Sequence, residues 1–455
     1  MSHLRPHRRI AFITLFLLFF SAGATDARPS LTGDFQHISG TTLTYPLELL
    51  PGVQRLTLNL DHRSNSGRLF ARTDIRNRFQ ASADSIEWTL PEFWIELFFS
   101  DSDLRIGSQI LQFGFSAANA PVDRILPLDF RNFLLEPVST LERGTIALQY
   151  SYYTNNSRIR LIFSPVTTRS LIPQPDSRWF MHIPVPAGLP VQIESDKSRS
   201  LLTKQSQGAL LWDSNRWRSV EFQAGILYWT PSMPAFKKDI RLAAHGTLSS
   251  DPSIILEETF TPTWILTGGI SWLATSSLTA LLEVARFGKK TFDRIPETLL
   301  FFDPAGPDHF NLPLVYRIIA DEERGFTSRH PAWDILMETR YSKGRTLLTV
   351  QWYSQIIDDP HPDVIQDEWF QSVSVYARRQ FFRERLKSDL TILYQINGQD
   401  FWIWTEHSYD IVDNVTLSAG THFFGGPVPE MNYGHPGFGS YRNNNLVYAG
   451  IRYFF

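Results

Sequence analysis

Charged side chains recur at every second position in several stretches of this chain. The basic members are Arg55, Arg68, Arg72, Arg76, Arg105, Arg158 and Arg160, and the acidic members are Glu283, Asp334 and Glu338. A period of two places side chains on one face of a β-strand. A strand face carrying fixed charges beside water attracts ions and orients dipolar solutes. The sequence therefore predicts a polar lining that handles charged solutes.

Motifs for covalent chemistry are missing from the sequence. It contains no G-x-S-x-G, no H-E-x-x-H and no phosphate-binding glycine loop. Glu406 and His422 could face one interior from adjacent strands, but a lone carboxylate and histidine on a polar wall are usually structural. Cysteine is absent, which removes thiol catalysis and thiolate metal sites. We predict neither an enzyme nor a cofactor or metal site.

The N-terminus has the pattern of a secretory signal peptide. Arg5, Arg8 and Arg9 precede an apolar run over 10–20, and Ala22-Gly23-Ala24 fits a small-x-small cleavage site. The alternative is a transmembrane anchor, but the run is short for a span. We predict a signal peptide over 1–24, cleavage near Ala24 and export of the remainder.

The composition narrows the class of exported protein. The formal net charge is -3 and 14% of residues are aromatic. The net charge gives the protein no overall positive field, so nucleic acid is not predicted as a partner. No later stretch reaches about 18 consecutive apolar residues, so no transmembrane helix is predicted. A soluble periplasmic β protein and an outer-membrane β-barrel remain.

The connections between the alternating stretches separate these two classes. Short polar turns are read at 61–66, 100–103, 154–157, 213–216, 273–276, 342–345, 382–385 and 412–414. The connections between them lie at 43–53, 79–84, 115–142, 166–202, 231–262, 289–331, 358–368, 397–400 and 425–444, and most are longer. Short periplasmic turns alternating with longer external loops are typical of outer-membrane barrels.

The fold class predicted is therefore all-β, a single transmembrane antiparallel β-barrel over 25–455. Counting from a first strand at 31–42 gives about 18 strands, with about 16 as the alternative. The segment SIILEETF (253–260) could be a strand. It is placed inside a loop because counting it in the barrel would break the alternation.

The barrel would place the third and twelfth strands on opposite sides. The early arginines would then form a basic wall facing an acidic wall, with a transverse field across the interior. The alternative is that these charges pair with neighbours such as Asp74, Glu92 and Glu96.

The connection 115–142 is unusually apolar for an external loop. An apolar loop in water is costly, so we expect it to fold into the barrel or over its mouth as a constriction. The alternative is that it packs on other loops. The constriction candidates are Asp123, Arg124, Asp129 and Arg131.

The last strand, LVYAGIRYFF, alternates lipid-facing apolar residues with Arg452, which would point into the interior. A terminal Phe455 preceded by Tyr453 and Ile451 resembles the C-terminal signal of bacterial outer-membrane barrels. That resemblance implies recognition by the barrel-assembly machinery. The two terminal rings would lie at the periplasmic lipid interface.

The segment 104–137 resembles porin-like barrels of the alginate-export type and a related uncharacterised proteobacterial family. Their pattern R-x-G-x-Q, a glycine turn and D-x-x-x-P-x-D-x-R-x-F is matched by Arg105, Gly107, Gln109, Gly114, Asp123, Pro127, Asp129, Arg131 and Phe133. The closing FGSYRNNNLVYAGIRYFF resembles the ends of those proteins. The resemblance implies a porin-like channel, and some relatives are thought to accompany exporters of hydrophobic molecules.

These observations together predict a passive channel for small polar or anionic solutes in the outer membrane of a Gram-negative bacterium. The alternative is the outer-membrane component of an export system for a hydrophobic or polymeric substrate, which would partner an inner-membrane exporter. The third hypothesis is a closed structural barrel. The expected partners are outer-membrane lipid and the assembly machinery.

Overall fold

The chain forms an antiparallel β-barrel. The computed structural model describes residues 28–44, 46–80, 83–116, 120–131, 140–175, 177–180, 191–194, 206–214, 219–244, 247–294, 327–362, 364–427 and 437–455. The predicted signal peptide with its cleavage site, and Phe133, lie outside the described residues. Within them, no helix is both long and apolar enough to cross a membrane.

The strands are numbered in chain order. Their bounds are β1 Ser30–Thr42, β2 Leu49–Arg63, β3 Gly67–Gln80, β4 Ala83–Phe98, β5 Ser102–Gln109, β6 Thr145–Tyr153, β7 Ser157–Ser164, β8 Val191–Glu194, β9 Gln207–Ser214, β10 Val220–Trp229, β11 Ala235–Ala244, β12 Thr247–Thr259, β13 Thr263–Thr275, β14 Leu278–Asp293, β15 Thr327–Lys343, β16 Thr346–Ile357, β17 Trp369–Phe381, β18 Leu386–Gln395, β19 Asp400–Val412, β20 Val415–Gly425 and β21 Leu446–Phe454. Among the described connections, 3₁₀ turns occur at Asp123–Ile125 and Phe438–Asn444.

The barrel is one 18-stranded sheet. Each strand pairs with its neighbour in the chain, except that β7 pairs with β9 and β10 with β13, and β1 pairs with β21 to close the ring. The predicted fold class and the count of about 18 are confirmed, and the alternative of about 16 is wrong. All eight predicted short turns join barrel strands, so Ser30, at the start of β1, and Phe455 lie at the short-turn end.

The alternation of polarity matches the two faces of the barrel wall. In β7 the outward residues Ile159, Leu161 and Phe163 are exposed, whereas Arg160 and Ile162 between them are buried. Exposed apolar side chains on an outer face are expected when the surrounding solvent is lipid. The exposed apolar side chains on the outer face therefore favour a membrane barrel over a soluble sandwich, whose outer face would be polar.

A second, three-stranded sheet lies outside the barrel sheet. β11 and β12 pair antiparallel, and β8 pairs parallel with β12. The segment 253–260 is thus largely strand, as part of β12. Because β11 and β12 form a hairpin within the loop between β10 and β13, the segment lies in a loop and does not enter the barrel sheet. Phe236, Leu256 and Ile172 form the small apolar core beneath it.

The C-terminal strand closes the barrel. Tyr453 stands opposite Phe35, and Arg452 opposite Gln36. Arg452 points into the barrel and makes a bidentate ion pair with Asp34, with both N–O distances at 2.9 Å. This charge in an apolar tail is therefore shielded from lipid.

Candidate functional site

The connection between β5 and β6, residues 110–144 and called L3 below, crosses the interior. Its Asp129 pairs with Arg76 on β3 at 3.2 Å, and its Ser116 donates to Glu338 on β15 at 2.9 Å. β3 and β15 are the third and twelfth strands of the ring, nine strands apart. In a barrel of 18 strands these are opposite walls, so L3 spans the lumen.

Main-chain amides of L3 are bound by two carboxylates. Glu283 on β14 accepts hydrogen bonds from the backbone N–H groups of Phe115 and Ser116, the latter at 2.9 Å. Asp123, within L3, accepts from Phe113 N at 2.6 Å and Gly114 N at 3.3 Å. The two carboxylates therefore satisfy four consecutive amides that would otherwise be orphaned in a buried turn.

Gly114 is required where these carboxylates meet. A Cβ added there would lie 2.4 Å from the Cβ of Ala120 and 3.0 Å from Glu283 Oε2. Burial raises the pKa of Asp123 to about 7, against the lowering effect of its two backbone hydrogen bonds, and Glu283 nearby adds to the rise. L3 thus carries a carboxyl group that titrates near neutrality.

An apolar cluster fixes the rest of L3 to one side of the barrel. The loop contributes Leu111, Phe113, Val122 and Ile125, and the wall contributes Ala147, Ile162, Ala209, Leu211, Leu227, Trp229, Ile265, Ala285 and Phe287. Phe113 meets Trp229 edge-on, with ring centroids 5.1 Å apart. This burial accounts for the apolar composition that the sequence showed in an otherwise polar connection.

The four charged candidates of L3 divide into anchors and one exposed group. Arg131 binds both Asp129, at 2.7 Å, and Glu87 on β4, at 2.9 Å. Asp129 is buried under these pairs. Arg124 is exposed, and its guanidinium lies 4.1 Å from the ring centroid of Tyr353 on β16. Arg124 is therefore the candidate in L3 that meets solvent within the barrel.

Arginines also gather at the short-turn end of the interior. We call Arg68, Arg105, Arg158, Arg340, Arg378 and Arg452 the arginine ring. Their carboxylate partners are Asp61, Glu96, Asp213, Glu338, Asp389 and Asp34 respectively. Each arginine lies near the short-turn end of its strand, on β3, β5, β7, β15, β17 and β21.

Within most of these pairs the two charges differ in exposure. The side chain of Arg378 is 45% exposed and that of Asp389 is 4% exposed. Arg340 and Glu338 are 39% and 3% exposed, and the pair of Arg68 and Asp61 is the exception, at 32% and 34%. The carboxylates lie against the wall and the guanidinium groups cover them. At the other five pairs, solvent in the barrel therefore meets the cation more than the anion.

The remaining predicted wall residues are also paired or buried. Arg72 and Arg76 bind Asp74, and Arg160 binds Asp213 beside Arg158. Asp334 binds Lys290 at 2.8 Å. Arg55 is buried on β2. Most charges of the basic and acidic walls are thus engaged in local pairs, as the pairing alternative predicted, whereas Glu283 binds backbone amides of L3.

A second connection, residues 165–206 between β7 and β9 (L4), reaches the far side of the mouth. Trp179 lies 6.3 Å from the ring of Phe424 on β20, nine strands around the ring from β9. Arg178 pairs with Glu48 in the β1–β2 connection at 2.6 Å, and its carbonyl accepts from Asn444. L4 therefore straps the loop end of the barrel, a contact that no local sequence signal indicated.

Glu406 and His422, which could face the interior from adjacent strands, have separate structural partners. Glu406 accepts from the hydroxyl of Tyr448 at 2.7 Å. His422 is stacked on Trp402, with the rings 3° from parallel, and its Nδ1 accepts from the Trp402 indole at 3.2 Å. No group of three or more potential metal ligands occurs among the described residues.

Comparisons with known proteins support the fold alone. No family model and no curated protein matches the sequence, so the resemblance to alginate-export porins stays a prediction. The structure is similar to the crystal structure of OccAB1 from Acinetobacter baumannii, at 9% identity and TM-score 0.51, over 95% of this chain and 98% of that one. OccAB4 from the same organism is similar at 8% identity and TM-score 0.50, with the same coverage. The chain therefore has the barrel fold of outer-membrane porins.

Proposed function

We propose that this protein is a passive outer-membrane channel for small polar solutes, with a preference for anions. The observation that carries the proposal is the arginine ring, whose guanidinium groups are exposed inside the barrel while most of their carboxylate partners are buried behind them. A closed structural barrel would gain nothing from solvated charges in its interior.

The ion pairs do not cancel the effect of the ring on a passing solute. Each guanidinium has five N–H donors, and a bidentate carboxylate uses two of them. The solute approaches from the cationic side of the pair, so its distance to the guanidinium is shorter than its distance to the buried carboxylate. Within a passage bounded by a low-dielectric wall, that difference in distance favours anions.

L3 limits the size of the solute. The loop is bound to both walls by ion pairs and hydrogen bonds, including those of Asp129 and Ser116. The path must pass beside this crossing, close to the exposed Arg124. We infer that compact solutes with one carboxylate or phosphate group pass more readily than larger neutral ones.

Efflux from preloaded proteoliposomes tests the proposal with solutes of similar size and different charge. We expect gluconate to leave faster than glucose, and glucose faster than glucosamine. Arg378→Gln combined with Arg452→Gln should reduce the preference for gluconate. The matched control is Arg379→Gln, because Arg379 is the next residue on β17 and lies on the opposite face.

Two outcomes would contradict the proposal. If none of the three solutes left the vesicles faster than from protein-free controls, the closed-barrel hypothesis would replace it. If glucosamine left fastest, the charge argument would be wrong although the barrel conducts.

A further inference from the structure

Two neighbouring short turns, between β15 and β16 and between β17 and β18, are rich in basic residues. These residues are Lys343, Arg345, Arg383 and Arg385. The turns lie side by side because β16 pairs with β17 as far as Thr346. Arg345 also forms an ion pair with Glu384 across the two turns, at 3.5 Å. We call residues 343–345 and 382–385 the basic turn pair.

The charge of the basic turn pair is largely uncompensated. Glu384 is its one acidic residue, so four cations and one anion give it a net charge of +3. All four basic side chains are exposed. Among the other described short turns, acidic residues predominate at 100–103 and 412–414, charges are absent at 154–157 and 273–276, and one acid accompanies one arginine at 61–66. Positive charge is thus concentrated in one sector of this end of the barrel.

The turn between β17 and β18 also presents an aromatic ring to the surroundings. Phe382 is 73% exposed. The φ angles of Phe382, Arg383 and Glu384 are 47°, 56° and 75°, in the left-handed region that residues with a Cβ adopt at a cost in free energy. Glycine or asparagine would form the same turn with less strain. A strained turn that exposes a large apolar ring therefore favours a role in binding over a role in folding.

The basic turn pair lies at the depth of the lipid headgroups. Tyr341, Phe381 and Tyr409 are exposed near the short-turn ends of β15, β17 and β19, as expected for an aromatic girdle at the membrane interface. Lys343 follows Tyr341 by two residues, which places it about 5 Å beyond the girdle at a rise of about 3.4 Å per residue and a strand tilt of about 40°. The headgroup layer on each side of a bilayer is about 5–7 Å thick. The basic side chains therefore lie level with lipid phosphates.

We propose that the basic turn pair binds an anionic phospholipid in the leaflet at the short-turn end of the barrel. Guanidinium groups match phosphate oxygens in geometry, and clustered basic residues beside a membrane attract anionic lipids. Phe382 would lie at the boundary between headgroups and acyl chains, where aromatic rings are favoured. Because four cations meet in two adjacent turns, a lipid with two phosphates, such as cardiolipin, suits the site better than a lipid with one.

An acidic soluble protein is the other occupant that the charge would suit. Such a partner would need cations that stand clear of the headgroup layer. Lys343 lies within that layer, and Phe382 offers an apolar group at the same level. The depth of the basic turn pair therefore favours the lipid.

Native mass spectrometry of the full-length protein in detergent, titrated with cardiolipin or with phosphatidylethanolamine of the same acyl chains, tests this proposal. We expect wild type to retain cardiolipin at concentrations where phosphatidylethanolamine is lost. Arg345→Gln with Arg383→Gln should raise the dissociation constant for cardiolipin at least about tenfold, since each basic group beside an anionic lipid contributes about fivefold. Glu384→Gln removes the one anion and should tighten binding. The matched control is Arg28→Gln with Arg63→Gln, which removes two exposed arginines at the same end of the barrel.

Competition with glycerol 3-phosphate distinguishes a lipid from a free phosphate. The soluble compound should not displace cardiolipin at equal concentration, and Phe382→Ser should weaken the retention of cardiolipin. Heat-modifiable mobility on gels confirms that each variant is folded. Equal retention of the two lipids by wild type would overturn the proposal and favour an acidic protein as the occupant. Displacement by glycerol 3-phosphate, or equal weakening in the matched control, would also overturn it.

Discussion

The carboxylate of Glu283 should decide whether L3 stays across the barrel. It accepts two backbone N–H groups of L3, from Phe115 and Ser116. Glu283→Ala removes both acceptors and leaves the two donors in a turn that is otherwise closely packed against Gly269 and Ala120. The apolar cluster around Phe113 should keep the base of the loop in place.

The size of the effect follows from those two bonds. Hydrogen bonds to a charged group contribute about 1.5–3 kcal/mol each. Water in the barrel can hydrate the freed amides, so we take the lower end and expect docking of L3 to weaken by about 3 kcal/mol in total. That corresponds to about a hundredfold rise in the ratio of released to docked loop.

Single-channel recording in planar bilayers measures this change. Glu283→Ala should show a larger mean conductance and more open-channel current noise than wild type. Glu283→Gln keeps one acceptor oxygen and should be intermediate. Glu406→Ala is the matched control, since it removes an inner-wall carboxylate whose partner is Tyr448 on the wall itself. Currents of Glu283→Ala that match wild type in both mean and noise would refute the idea that this residue holds the loop.

Three further predictions concern pH, the loop end and assembly. The pKa of Asp123 is raised to about 7 in the docked loop, so protonation favours docking: the stabilisation is complete below about pH 4 and is lost as pH rises through about 7. Conductance should therefore increase from pH 5 to pH 8, and Asp123→Asn should weaken this dependence; a wild-type conductance that falls over that range would contradict it. Trp179→Ala removes the ring that anchors L4 against Phe424 and Tyr441, and it should speed proteolysis of L4 on intact cells, whereas unchanged cleavage would show that the strap is held elsewhere. Deletion of Phe455 should reduce the amount of folded protein in the outer membrane without blocking export. Normal assembly of that variant would show that Phe455 is not part of an assembly signal.

The number of strands is predictable from the sequence because short turns and alternating polarity are local features of the chain. Each short turn, such as that between Lys343 and Thr346, reverses the chain where alternation stops. A run of residues alternating like Ile159, Leu161 and Phe163 needs no distant partner to be recognised. The strand β12 was harder, because alternation alone does not tell whether a strand joins the barrel or an inserted hairpin.

The details of the interior depended on distant contacts. Glu338 and Arg340 are two residues apart, so the sequence places them on one face, but nothing local tells which one is buried. The docking of Trp179 on Phe424 joins residues far apart in the chain. The anchoring of L3 by Glu283 likewise joins a wall residue to backbone amides, which carry no sequence signature.

The proposed preference for anions is tested most directly by the reversal potential of the reconstituted wild-type protein in a potassium chloride gradient. Exposed guanidinium groups over buried carboxylates predict discrete current steps and a reversal potential displaced towards the chloride equilibrium potential. The displacement should shrink in Arg378→Gln with Arg452→Gln. The absence of current would contradict an open channel, and a reversal potential displaced towards that of potassium would contradict a preference for anions.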